Sequence, residues 1–286
     1  MFVLRLGTFL LTFISILITT KAEEISENAG NETITHPYYR RFPFTIVPKD
    51  LCLPTVKTLF VVHTTIINQG RRALIRETYA HSRWENKYIS WMRYLQENCK
   101  DVELIVKLDD DVVGNIFWLF DDIKQGKISR NRTFTCLQGM KLDLIRDKSS
   151  PWYVSKEAHP SERWEDCCIG PALFQSNDLC QELIQQAETH QYYNSVDDGF
   201  FTGTIAKEIR ANHNFKLYGT NFLELEENQT EAHLLDRTHL FGLYSTSASV
   251  RRIFTELKYL YREEVDQIDD FPKSIKVGPI GEDEMR

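Results

Sequence analysis

The run Lys107-Leu108-Asp109-Asp110-Asp111-Val112 gathers three carboxylates at one point of the chain. The preceding residues, Glu103–Leu108 (ELIVKL), are apolar enough for a buried strand, so the acids stand where a strand ends. Open α/β sheets bind ligands beyond the carboxyl ends of their strands. Adjacent carboxylates repel one another unless a cation is near. Their hard oxygens suit Mg²⁺ or Mn²⁺. An ion held by only one or two protein ligands keeps positions free for diphosphate oxygens. That arrangement suits nucleotide-sugar chemistry, in which the metal neutralises a leaving diphosphate. A calcium loop beginning at Asp109 is excluded, because Val113 and Phe120 occupy the positions that need an oxygen ligand and a glutamate. A solvated acidic turn is the competing reading.

A second acidic pair, Asp197-Asp198, precedes Gly199-Phe200-Phe201-Thr202-Gly203. It falls where a predicted helix begins, and a helix N-terminus favours the ionised carboxylate. Such a carboxylate can accept a proton from a sugar hydroxyl; simple helix capping competes with this role. The basic counterpart is Arg71–Tyr79. Its Arg72 and Arg76 lie four apart and share a helix face. Guanidinium pairs suit phosphate or a nucleotide edge, against the alternative of a solvated surface paired with Glu77. Trp118, Trp152, Tyr153 and Trp164 fit either a core or a stacking platform for sugar rings. No G-x-x-x-x-G-K-[ST], G-x-G-x-x-G or G-x-S-x-G motif is present. Phosphate-loop NTPases, dinucleotide enzymes and serine hydrolases thereby lose their usual sequence support.

The elements that must carry these residues follow from periodicity. Thr58–Ile66 is β-branched and apolar on both faces, which predicts a buried strand. Arg71–Ala80 and Tyr88–Asn98 read as helices, Glu103–Leu108 as a strand and Val112–Ile123 as a helix. Ser176–His190 reads as a helix capped by Asn177 or Asp178. Phe201, Ile205 and Ile209 mark one more. Strands alternating with helices predict an α/β domain with a mixed, mainly parallel sheet.

The chain has 286 residues, of which 42% are apolar and 26% charged, with a net charge of −7. That suits a globular protein and excludes a disordered chain, a collagen or a coiled coil. The acidic balance argues against a nucleic-acid partner. Residues 1–22 are set apart: Leu6–Thr20 holds no charge, which predicts a signal anchor or a signal peptide cut after Ala22. Residues 23–56 are polar, then rich in proline, and read as a stem. The globular domain spans 57–286. Acceptor triplets for glycosylation begin at Asn31, Asn131 and Asn228. Six cysteines make an even count for an oxidising compartment, and adjacent Cys167 and Cys168 are poorly placed to bridge each other.

In order, five segments resemble blocks of the β1,3-glycosyltransferase family, which includes β1,3-galactosyltransferases, β1,3-N-acetylglucosaminyltransferases and Fringe. They are RRALIRETYA, KLDDDVVGN, PWYVSKEAHP, CCIGPALFQS and VDDGFFTG. Tyr79, His159, Ala172, Leu173 and Gly199 depart from the family pattern. The resemblance implies a GT-A-like fold in a type II Golgi membrane protein with a lumenal catalytic domain. It implies an inverting, metal-dependent transferase that moves galactose or N-acetylglucosamine. The donor would be UDP-galactose or UDP-N-acetylglucosamine, the cofactor Mn²⁺, and the acceptor the 3-hydroxyl of a glycan on protein or lipid. By carry-over, Asp198 is the catalytic base with Asp197 beside it. Asp111 and Asp109 hold the metal, and Asp109 and Asp110 also face ribose or donor sugar. Arg72, Arg76 and Thr78 lie on the nucleotide side. GT-A enzymes often add a C-terminal histidine to the metal, a role carried over to His239, with His233 as the fallback. Relative to the family, a strand-bearing segment is missing near residues 80–88. At about 3.3 Å per strand residue, the link that remains cannot hold a strand and its crossover.

Overall fold

A computed structural model describes residues 3–6, 9–14, 52, 54–63, 87–139, 142–150, 152–190, 194, 196–244 and 247–261. The expected helix Arg71–Ala80, with Arg72, Arg76 and Thr78, lies outside the described residues, as do Asn31, most of the stem and the shortened link near 80–86.

Ten strands are described: β1 (Val3–Leu6), β2 (Phe9–Ile14), β3 (Val56–His63), β4 (Leu104–Asp109), β5 (Val112–Gly114), β6 (Thr133–Gly139), β7 (Cys167–Ser176), β8 (Asn212–Asn214), β9 (Leu223–Glu224) and β10 (Phe241–Leu243). The helices are α1 (Lys87–Asn98), α2 (Ile116–Lys124), α3 (Cys180–Glu188), α4 (Asp197–Gly199), α5 (Ala206–Glu208), α6 (Glu227–Leu235) and α7 (Ser247–Leu260). A π-helical stretch, Phe200–Ile205, joins α4 to α5. Seven strands form one sheet in the order β1-β2-β3-β4-β7-β6-β8, and β5-β10-β9 form a second. The mixed α/β architecture agrees with the expectation. Its parallel pairs (β2–β3, β3–β4, β6–β8) are matched in number by antiparallel ones (β1–β2, β4–β7, β6–β7), so the sheet is evenly mixed rather than mainly parallel.

Helices cover both faces of the large sheet, which is why β3 and β4 are apolar throughout. Side chains alternate across a strand. Leu104, Val106 and Leu108 of β4 face one core with Phe117, Phe120 and Leu257, while Ile105 faces the other with Tyr88, Trp91 and Phe201. Lys107 therefore lies on the α1 side, where it is buried.

The predicted helix Val112–Ile123 is half right. Val112–Gly114 is a strand, pairing antiparallel with β10, and the helix starts only at Ile116. Asn115 divides the two: its side chain accepts from the Trp118 N–H and caps α2. The expected capping of the 176–190 helix by Asn177 or Asp178 is not observed. Asn177 donates instead to the Val102 carbonyl, and Asp178 accepts from the Arg132 N–H. A 3₁₀ turn, Asn177–Leu179, leads into α3.

The apolar N-terminal run, expected as an anchor or signal, contains strand β2, which pairs in parallel with β3. Its aromatic and β-branched residues suit a strand as well as a span. No helix among the described residues is long and apolar enough to cross a membrane. Two disulfides, Cys52–Cys99 and Cys136–Cys168, tie the chain before β3 to the end of α1 and β6 to β7. Cys167 and Cys180 are buried and lie outside these two bridges.

Candidate active site

Asp109 closes β4, beside His63 at the end of β3. The Lys107 ammonium reaches forward two residues, donating to Asp109 Oδ1 at 2.7 Å and to the Gly170 carbonyl at 2.5 Å. A lysine inside an apolar strand was the one sign in the sequence of this buried cation. Desolvation pushes the Asp109 carboxyl above its ordinary range against the pull of Lys107, and the charges of Asp111 and Asp198 push the same way. The two acidic motifs, nearly ninety residues apart, thus share one field.

Gly170 on β7 makes that meeting possible. A Cβ at this position would stand 2.7 Å from Asp198 Oδ2, so the carboxylate packs directly on the glycine backbone. Asp198 Oδ1 accepts from the Gly199 N–H at 2.9 Å. Its carbonyl accepts from the Thr202 hydroxyl, which in turn accepts from the Cys168 N–H on β7. Asp197 and Asp198 form the first turn of the helical segment, and both raise the pKa of Tyr88, whose burial is the larger cause. Gly199, a departure from the family pattern, has its own explanation. A Cβ there would meet the Trp164 ring at 2.8 Å. Trp164 is buried with Leu144, Val154 and Cys167, so it is core rather than platform. His159, the other departure nearby, tilts against that ring with centroids 5.0 Å apart. Trp152 is 62% exposed and remains free to stack on a ring.

The C-terminal partner of the acidic run is Tyr244. Its N–H donates to the Asp111 carbonyl at 2.9 Å and its hydroxyl to the Asp110 carbonyl at 2.8 Å. His239 is not brought there. β5 and β10 run antiparallel, with Val112 opposite Leu243 and Gly114 opposite Phe241. Asp111 and His239 therefore lie at opposite ends of the pair, about 15 Å apart at strand rise. His239 and its fallback His233 converge on Glu224 instead. Nothing in the local sequence distinguished Tyr244 from the histidines, because the choice depends on strand register.

For a metal at the acidic run, the fit rests on Asp109 and Asp111. Their mutual charge and the desolvation of Asp109 favour a cation. The run does not itself converge into a three-ligand cluster: among the described residues that geometry occurs at Glu224, His233 and His239. One or two carboxylates would hold an ion and leave its other positions to a ligand.

Residues 72–215 match a family model described as Galactosyltransferase. Beta-1,3-galactosyltransferase 5 of Pan troglodytes is 25% identical over 114 residues, 39% of this chain and 37% of that one. The Mus musculus protein of the same name is 24% identical over 50% of this chain and 47% of its own. Beta-1,3-galactosyltransferase 2 of Homo sapiens is 25% identical over 35% and 24%. The matches span less than half the length of these relatives. Among solved structures, mouse xyloside xylosyltransferase 1 in its apo form has a TM-score of 0.35 at 12% identity, covering 65% of this chain and 83% of that one. The galactosyltransferase LgtC with donor and acceptor sugar analogues has 0.30 at 12%, covering 73% and 89%. The family model takes in half of the sequence, including both acidic motifs and the glycine between them, and by that match the chain belongs to the galactosyltransferase family.

Proposed function

We propose that this chain transfers a hexose, galactose or N-acetylglucosamine, from a UDP-sugar to the 3-hydroxyl of an acceptor glycan, with inversion to a β linkage. The observation that carries the reading is the packing of Asp198 on Gly170, whose carbonyl accepts from the same Lys107 ammonium that holds Asp109. A base and a site for the donor diphosphate must flank one anomeric carbon, and these two motifs are the pair that meet. In the reaction the acceptor oxygen attacks the anomeric carbon as its proton passes to Asp198, and the bond to UDP breaks with its electron pair leaving on the diphosphate. Inversion needs one base and no protein nucleophile. A divalent ion such as Mn²⁺, held by Asp111 and Asp109, would supply charge to the diphosphate. Lys107 fixes the Asp109 carboxylate, and Arg72, Arg76 and Thr78 are assigned to the nucleotide side. Trp152 is the proposed stacking surface for an acceptor ring.

The same reading puts the domain in the Golgi lumen at the membrane. Two disulfides and exposed acceptor asparagines, Asn131 and Asn228, support a lumenal domain. The test is incubation of the full chain with UDP-galactose or UDP-N-acetylglucosamine, Mn²⁺ and mixed glycan acceptors. Turnover is expected, with Asp198→Asn and Asp111→Asn each losing it while keeping the wild-type melting temperature. Activity in Asp198→Asn equal to wild type sinks the base assignment.

A second reading is a non-catalytic lumenal protein of the same family that binds a glycan or a partner. Tyr244 favours it, because a phenol rather than an imidazole meets the acidic run. It predicts no Mn²⁺-dependent binding of UDP by calorimetry.

A further inference from the structure

Glu224, His233 and His239 come from three separate elements and meet on the small sheet, away from the acidic run. Each offers a ligand atom, and these atoms lie within 4.8 Å of one another. β9 and β10 pair in parallel, with Glu224 opposite Gly242, and α6 makes the crossover between them. The His233 carbonyl then accepts from both the Thr238 and the His239 N–H at 3.0 Å, folding the turn back onto the end of α6. Arg237 in that turn has φ 60°, a conformation that side-chain-bearing residues seldom adopt. The result stacks the two imidazoles, with centroids 4.6 Å apart and planes at 25°.

Both rings face the same oxygen. His233 Nδ1 is hydrogen-bonded to Glu224 Oε2, and His239 Nε2 lies 3.7 Å from that atom. The other carboxylate oxygen accepts from the Glu226 N–H at 2.8 Å, which fixes the plane of the group. Burial pushes the Glu224 carboxyl up, but that N–H and the two imidazoles outweigh it and hold the group below its ordinary range. An anion is therefore presented to two nitrogen ligands. His239 Nδ1 is buried without a hydrogen-bond partner.

We propose that Glu224, His233 and His239 form a site for a divalent transition-metal ion of the zinc class, separate from the acidic run. Imidazole nitrogen with one carboxylate suits zinc, whereas all-oxygen sets suit magnesium or manganese. The ion would take the place of the proton between Glu224 and His233 and draw in His239. It would tie β9, α6 and the turn before β10 together. β10 leads directly into Tyr244, so the staple steadies the strand that meets the acidic run.

The test uses the full chain, stripped with chelator and titrated with Zn²⁺ by calorimetry and thermal shift, then with Co²⁺ by absorption. One tight equivalent of Zn²⁺ is expected, far stronger than Mn²⁺, with a raised melting temperature. The Co²⁺ spectrum should show d–d bands and no thiolate charge transfer, which separates this site from Cys167 and Cys180. His239→Gln and Glu224→Gln should each weaken Zn²⁺ by at least the roughly 10- to 100-fold that loss of an outer partner alone can cause. Asp111→Asn should leave Zn²⁺ binding intact, so loss of transferase activity and loss of this site are distinguishable. Zinc binding that survives both His239→Gln and Glu224→Gln, or that disappears in Asp111→Asn, overturns the proposal. If the variants do not fold, the wild-type spectrum decides: no cobalt bound, or a thiolate band, also overturns it.

Discussion

Gly170 determines where the Asp198 carboxylate can sit. Its missing Cβ leaves room for an oxygen that would otherwise be 2.7 Å away. Gly170→Ala should displace that carboxylate without disturbing the core around it. A misplacement near 1 Å can cost about 100-fold in rate, so kcat should fall by that order while KM and melting temperature hold. Wild-type kcat in Gly170→Ala would show that the acceptor proton goes elsewhere. The sequence displayed Asp198 plainly and held Gly170 only as one letter of the CCIGPALFQS block, because their contact is a product of tertiary packing. Cys167 carries a second test at this scale. It is 3% exposed, and burial, with Asp198 adding to the effect, raises its thiol pKa to about 12. The thiolate is the reactive species. Iodoacetamide at pH 8 should alkylate Cys167 about a thousandfold more slowly in the folded protein than after unfolding, as mass spectrometry of the labelled peptide would reveal.

At the scale of elements, α1 and β4 were legible because their signals are local. Tyr88–Asn98 has helical spacing, and Glu103–Leu108 is a continuous apolar run ending in charge. β5 was not legible. Val112 and Val113 fit a helical pattern with Ile116 and Phe117, and their strand state depends on a partner, β10, far along the chain. Asn115 at the junction shows what holds the correct answer. It is fully buried; its Nδ2 donates to the Leu234 carbonyl at 2.9 Å and to the Tyr261 hydroxyl at 3.2 Å, while Oδ1 caps α2. Asn115→Ala removes a cap worth about 1 kcal/mol. It also strands a buried carbonyl, at about 1–3 kcal/mol. Urea unfolding should register a loss of roughly 2–4 kcal/mol with an unchanged m-value. A loss within 0.5 kcal/mol, the scale of an ordinary surface substitution, would mean that the junction is held by strand pairing alone.

For the whole molecule, the outer edge of β3 is where the N-terminal run matters. In the structure β2 lies there, with Leu11 opposite Thr58 and Phe13 opposite Phe60, and β1 continues the sheet outward. The apolar run that composition marked as a signal or anchor has thus found a second place for the same hydrophobicity. The two places exclude each other. Cleavage after Ala22, or withdrawal of the run into a bilayer, would take both strands away and expose a row of unpaired backbone groups on β3. The Cys52–Cys99 disulfide fixes the chain before β3 to the end of α1, so β3 itself would stay in the sheet. Deleting residues 1–22 separates the two arrangements. If β2 is part of the fold, the shortened chain should melt several degrees lower, because a loss of about 1 kcal/mol moves Tm by roughly 2–4 °C in a domain of this size. It should also self-associate through the freed edge in sedimentation. An unchanged melting temperature and a clean monomer would remove β1 and β2 from the folded domain. The run would then be available as the membrane tether of the proposed Golgi enzyme, and retention of the full chain in the pellet after alkaline carbonate extraction would establish that role.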